Sequence, residues 1–171
     1  NKALRGETNA SHKYQLFAQK ADDEHYAQVA KLFRAVSMAE SIHINNHKAV
    51  ILELKGKPDI INYDFVKVGT TKANLENPLK GEAYEKNLMY PNFIKQAKVD
   101  NLPDAVQTFS FAQKAEAQHE KLFEDALNNL GKNKPVDYCV SRISGATYAV
   151  NENLKCPSGK FGMEQEYIRV K

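Results

Sequence analysis

The chain has 171 residues, 42% of them apolar, which suits one substantial domain with a small appendage. Its formal charge is only +3 and its Lys and Arg residues are scattered, so it lacks the basic face that a phosphate backbone requires; nucleic acid is not an expected partner. The longest apolar run, Ala49 to Leu52, is far too short to span a membrane, so no membrane association is expected. Two cysteines, Cys139 and Cys156, are too few for a disulfide scaffold and settle no redox compartment. The first residue is Asn1 rather than Met, so a preceding leader or tag is expected.

Four segments carry apolar residues at helical spacing. The first has Leu4, Ala10, Tyr14, Phe17 and Ala21. The second has Val29, Phe33, Val36, Val50 and Leu54 and ends at the turn Lys55-Gly56-Lys57-Pro58. A connection from Asp59 to Lys72 follows, long enough to run the length of a bundle. The third helix is expected over Leu79 to Lys98, with Pro78 in its first turn, or else at a kink in a longer helix starting near Lys72. The fourth is expected from Pro103 to Leu130, stopped by Gly131. Beyond Lys134-Pro135 the pattern changes to short β-type runs, Ala146 to Val150 and Tyr167 to Val170, which read as a small β-rich domain.

The apolar stripes are interrupted by charge. On the second helix the series 29, 33, 36, 40, 43, 47, 50, 54 is apolar except at Glu40, His43 and His47. On the fourth, Val106, Phe109, Ala112, Phe123 and Leu127 share their face with Glu116 and His119. Leu79, Met89 and Phe93 share theirs with Glu82 and Glu85, and Glu7 precedes Ala10 and Tyr14 by one turn. Each helix thus turns at least one carboxylate toward the core. Buried carboxylates are costly unless paired or bound to metal, and no Lys or Arg lies on these stripes. Five glutamates bring −5 and two Fe(II) bring +4, so the charge balance favours two metals over one.

Residues three apart share a helical face, so Glu40/His43 and Glu116/His119 can each present an oxygen and a nitrogen together. Two such motifs plus single glutamates from the other two helices are the ligand set of di-iron carboxylate bundles. Here Glu7 and Glu82 supply the single glutamates and Glu85 is an extra carboxylate. This donor set suits iron or manganese better than thiol-loving metals. A lone Glu-x-x-His carries little weight: 13 Glu and five His give about 0.4 such pairs by chance. Two of them, each inside an apolar stripe, weigh far more. Asp22-x-x-His25 has the same spacing but falls in a polar turn and reads as surface. His12 reads as solvent-facing, and His47 as packed beside the site rather than ligating. Tyr14 and Tyr90, near the carboxylates, are expected to hydrogen-bond to them.

These residues resemble the rubrerythrin family. Gly6-Glu7-Thr8-Asn9-Ala10 with Tyr14 is similar to its first-helix motif. Gly81-Glu82-Ala83-Tyr84-Glu85 followed by Met89-Tyr90-Pro91 and Phe93 resembles its third-helix signature. Ala39-Glu40-x-x-His43 and Ala115-Glu116-x-x-His119-Glu120 complete the set. The resemblance covers the chain to about Leu130. It implies a mainly α, ferritin-like four-helix bundle with one long crossover over residues 1–134, then a small β-rich, rubredoxin-like domain over 135–171.

It also implies two iron ions per chain. Glu40 and Glu116 would bridge them, Glu7, Glu82 and His119 would be terminal ligands, and His43 and Glu85 would exchange on one iron. The implied activity is a non-haem di-iron peroxidase, reducing hydrogen peroxide to water in oxidative-stress defence. Tyr14 and Tyr90 would steady the carboxylates. Electrons would come from an external donor protein, rubredoxin-like or a flavoprotein, linked indirectly to NAD(P)H. The competing functions are a ferroxidase handling iron and a non-enzymatic di-metal structural or sensing protein. Family members pair as homodimers, some with helices exchanged between chains. The cytoplasm is the expected compartment, with export after loss of a leader as the alternative.

The tail departs from the family pattern. Two Cys-x-x-Cys knuckles would be needed to bind a relay iron, and here they read Cys139-Val140-Ser141-Arg142 and Cys156-Pro157-Ser158-Gly159. Arg142 and Gly159 replace the second thiolates, so no four-thiolate iron is expected. The remaining thiols have two open readings, a disulfide or a free pair.

Overall fold

The computed structural model describes residues 1–157 and 166–171, so Ser158 and Gly159 of the second knuckle lie outside the described residues. Helix α1 spans Lys2–Asp23 and α2 spans Ala27–Glu53, joined by a tight turn in which His25 takes a positive φ of 63°. The crossover over 54–70 leads to α3, Thr71–Tyr84. A π-helical segment, Glu85–Met89, joins α3 directly to α4, Tyr90–Val99, and α5 spans Pro103–Asn128. Three antiparallel strands follow: β1 (Asp137–Ser141) lies between β2 (Thr147–Val150) and β3 (Tyr167–Val170). The chain is a mainly α bundle with a small sheet, as the periodicity implied.

The third helix follows the second of its two readings, the longer helix starting near Lys72, rather than the Leu79 start. It begins at Thr71, and Pro78 sits inside it. Two caps hold the earlier turns: the Thr70 side chain accepts from the Ala73 N–H, and the Glu24 carboxylate accepts from the Thr71 N–H at 2.7 Å. That backbone hydrogen bond pulls the Glu24 carboxyl down to about 2. Leu75, fully buried, fastens the same turns to the core. The fourth helix begins at Pro103 as expected but ends at Asn128, two residues early, with Gly131 just beyond at φ 83°. The second stripe also leaves the core at its end, where Leu54 is half exposed.

Two apolar layers bracket the middle of the bundle. In one, Tyr14, Phe17, Phe33 and Phe123 pack ring to ring at 5.3 to 6.4 Å. In the other, Tyr90 and Phe93 pack on Phe109, with Ala3, Met89 and Ala112 around them. The charged stripe residues fall between these layers. Packed aromatic rings on both sides enclose the space between the layers in apolar surface.

Cys139 and Cys156 are joined in a disulfide, the first of the two readings. Closing a loop of this length contributes about 3 kcal/mol by chain-entropy arguments. Lys31 on α2 bonds the Val136 carbonyl and Asp137, and Arg169 bonds Asp137 from the other side. The same Arg169 donates to the carbonyls of Asn151, Glu152 and Leu154. Arg142 is exposed, and its backbone N–H donates to the Glu166 carbonyl.

Candidate metal centre

Glu7, Glu40, His43, Glu82, Glu116 and His119 meet between the two layers, all at most 1% exposed. Their geometry has approximate two-fold character. His43 Nδ1 lies 2.9 Å from one oxygen of Glu40, 3.3 Å from one of Glu116 and 3.6 Å from Glu7. His119 Nδ1 lies 2.8 Å from the other oxygen of Glu116, 3.4 Å from the other of Glu40 and 3.8 Å from Glu82. Two donor sets result, Glu7/Glu40/His43/Glu116 and Glu40/Glu82/Glu116/His119, each with its ligand atoms within 4.8 Å of one another. Glu40 and Glu116 belong to both, one oxygen turned to each side.

Electrostatics mark the same place. Burial, then the neighbouring Glu40, Glu82 and Glu7, push the Glu116 carboxyl well up, and burial raises Glu82 also. Burial would raise Glu40 too, but hydrogen bonds to His119 and His43 outweigh it and pull its carboxyl well down. Burial lowers His43, yet hydrogen bonds to Glu40 and Glu7 carry it up to about 10. One oxygen each of Glu7, Glu82 and Glu116 is buried with no hydrogen-bond partner among the described residues. Orphaned buried carboxylate oxygens in a cluster with two imidazole nitrogens are what a pair of divalent cations would satisfy, so the residues fit a di-iron centre.

Both tyrosines sit where the sequence put them. Tyr14 donates its hydroxyl to Glu82 and Tyr90 donates to Glu7. Burial, with Glu82 and Glu40 adding to it, holds the Tyr14 phenol well above its usual range, so it remains a donor. The reach of Tyr90 depends on the π segment. In an unbroken α-helix, residue 90 would lie about 80° round from residue 82. The wider turn over Glu85–Met89, closed by the Tyr90 N–H on the Glu85 carbonyl, takes up that excess. Its sequence signal is Pro91, which cannot donate to the Asn87 carbonyl and crowds it.

His47 is buried beside the site, as expected. Thr108 Oγ1 lies 3.0 Å from its Nδ1, and its Nε2 lies 3.2 Å from the Tyr90 hydroxyl. His25 is exposed; His12 is half-buried rather than free in solvent, its ring stacked 4.0 Å from Tyr63. Glu85 is the exception among the expected ligands and belongs to neither donor set. It lines a cleft of about 270 Å³ with Gly6, Asn9, Lys13 and Tyr14. Burial and the nearby Glu7, Glu82 and Glu40 push its carboxyl well up.

Contacts from the tail were not legible in the sequence. The Ser144 carbonyl lies 3.1 Å from His43 Nε2, and Thr147 Oγ1 lies 3.2 Å from His119 Nε2. These pairs are 101 and 28 residues apart, and no spacing rule links them.

A helical bundle that turns two carboxylate–imidazole sets into a buried core, sharing two glutamates, is a di-metal carboxylate protein. A family model described as rubrerythrin matches residues 1–127, and the chain belongs to the rubrerythrin family. Rubrerythrin-2 of Clostridium acetobutylicum is 30% identical over 164 residues, 91% of this chain and 86% of that protein. Nigerythrin of Nitratidesulfovibrio vulgaris is 32% identical over 155 residues, 91% and 77% respectively. A solved structure of nigerythrin in a fully reduced, all-ferrous state matches with a TM-score of 0.83 and 31% identity, over 91% of this chain and 77% of that one.

Proposed function

We propose that the chain is a non-haem di-iron peroxidase that reduces hydrogen peroxide to water, taking two protons and two electrons per turnover. The observation that carries this is the pair of donor sets sharing Glu40 and Glu116, which suits two adjacent ions acting as one two-electron unit. Glu7, Glu40 and His43 would hold one iron and Glu82, Glu116 and His119 the other, with Glu40 and Glu116 shared. When bound, two Fe(II) supply the two electrons that O–O cleavage consumes.

The protein's own groups do the rest. Tyr14 and Tyr90 orient Glu82 and Glu7 by donating to them, and the aromatic layers exclude water. Thr108, His47 and Tyr90 form a hydrogen-bonded file that ends on Glu7 and holds protons at the Tyr90 hydroxyl and His47 Nε2. Glu85, one turn from Glu82 and poised in the cleft, is the carboxylate available to exchange with His43.

The two cysteines are bonded to each other, which supports an electron donor outside the chain, a rubredoxin-like protein or a flavoprotein drawing on NAD(P)H, and no rubredoxin-type iron in the tail. The chain divides into a bundle over 1–134 and a degenerate rubredoxin-like unit over 135–171. Exposed Ile60 and Phe65 on the crossover support a homodimer. No described helix is long and apolar enough to cross a membrane. Of the two compartments expected, the disulfide supports the exported one.

Rapid mixing of anaerobic, Fe(II)-loaded protein with peroxide or dioxygen, with iron counted per chain, tests the reading. Two irons oxidised much faster by peroxide are expected. Faster oxidation by dioxygen would point to a ferroxidase, and no iron binding would overturn the proposal.

A further inference from the structure

The C-terminal sheet has lost half of the thiolates a relay iron needs, yet it is held firmly against the metal centre. Four bundle side chains grip the turn between β1 and β2. Asn46 donates to the Ile143 carbonyl at 2.8 Å, and Gln118 accepts from the Thr147 N–H at 2.9 Å. The other two are His43 and His119, through their Nε2 atoms.

The chemistry of these partners is one-sided. A carbonyl only accepts, so the Ser144 oxygen requires a proton on His43 Nε2. The Thr147 hydroxyl is committed as a donor to the Gly145 carbonyl at 3.0 Å, so toward His119 its oxygen accepts and Nε2 again carries the proton. An imidazole protonated at Nε2 offers its lone pair at Nδ1, and both Nδ1 atoms face the shared glutamates.

Gly145 makes the approach possible. Its φ is +71°, and a Cβ there would stand 2.4 Å from His43 Nε2. Its N–H donates to the Ser141 carbonyl at 3.0 Å, which ties the turn back to β1 and so to Cys139 and the disulfide.

We propose that the C-terminal sheet is a positioning cap for the metal centre. The Ser144 carbonyl and the Thr147 hydroxyl fix both histidines in the Nδ1-ligating form, and the disulfide braces the cap. The cap rests on the di-iron reading, since its purpose is to present Nδ1 to metal. Groups that orient a ligand imidazole in this way typically carry about a 10–100-fold effect on metal affinity.

The test compares full-length wild type with Thr147→Val, Thr147→Ser and Gly145→Ala. Fe(II) affinity is read by competition with a chromophoric chelator, and the imidazole protonation sites by ¹⁵N NMR of the metal-free protein. Thr147→Val should weaken one ion about 10–100-fold and remove the Nε2–H signal of His119 alone, while Thr147→Ser restores both. Gly145→Ala should weaken the other ion through His43, so the cap stays testable if one variant folds poorly. Wild-type affinity and protonation in Thr147→Val, or equal damage in Thr147→Ser, would overturn the cap while leaving the di-iron reading intact. Failure of the wild type to bind Fe(II) at all would remove both.

Discussion

Stripping the metal should cost the bundle far more stability than loss of a surface ion pair. Glu7, Glu40, Glu82 and Glu116 are buried side by side, and three of their oxygens have no partner among the described residues. The unfolded chain brings no such set of donors together, so binding free energy becomes folding free energy. At a free Fe(II) concentration about 100 times Kd, each ion stabilises by about 2.7 kcal/mol, and two ions by about 5.4 kcal/mol. For a chain of this length about 2–4 °C accompanies each kcal/mol, so the midpoint should rise by about 11–22 °C. Anaerobic thermal unfolding by circular dichroism, with Fe(II) and with a chelator, measures it. Because Glu116 faces both donor sets, Glu116→Gln should abolish most of the rise rather than half of it. Coincident melts for the loaded and stripped wild type, or the full rise retained in Glu116→Gln, would refute the reasoning.

The metal-free protein should also respond to pH. Hydrogen bonds to Glu40 and Glu7 overcome burial to lift His43 to about 10, so its stabilising contribution is complete below the unfolded value near 6.5 and is lost as pH rises through about 10. Glu82 and Glu116, raised by burial, act in the same direction from above 4.5 upward, so the metal-free midpoint should fall between pH 6.5 and 10 while the loaded one holds; a parallel fall in both would count against a metal displacing these protons. Tyr90→Phe removes the hydroxyl that donates to the Glu7 carboxylate and should weaken Fe(II) binding about 10–100-fold in a chelator competition, an unchanged affinity showing that Glu7 does not need Tyr90 to orient it.

What could be read in the sequence followed from local periodicity. Glu40/His43 and Glu116/His119 are fixed by helical spacing, and an apolar stripe interrupted by carboxylates requires those carboxylates to meet something inside. Glu7 and Tyr14 on the first helix and Glu82 on the third were found the same way, while Tyr90 was placed only by its nearness to the carboxylates and reaches Glu7 through the π segment. The failures are non-local or depend on competing local forces. Pro78 left two readings open, a start at Leu79 or a longer helix from near Lys72, and the Thr70 and Glu24 caps together with buried Leu75 decide for the longer one. Glu85 shares the face of Glu82 by spacing, yet it opens the π segment and lies in the cleft. The contacts of Ser144 and Thr147 with the histidines join residues 101 and 28 positions apart, and only the folded arrangement brings them together.

The central charges are best understood as a conflict the fold tolerates for a purpose. Apolar residues of similar volume at 7, 40, 82 and 116 would continue the stripes and bring the two aromatic layers into one core, and such replacements are often neutral or stabilising. Along α1, α2 and α5 most of the apolar stripe packs as its pattern requires, so the buried charges that break it are concentrated where those helices face one another at the centre. The tail carries the same logic in reverse. Its two cysteines are joined to each other, yet Asn46, Gln118, Lys31 and Arg169 spend polar contacts on holding the sheet in place. A remnant with no task would be expected to lose such contacts one by one. A sheet that keeps both histidine Nε2 atoms occupied has a reason to stay docked that does not depend on its thiols.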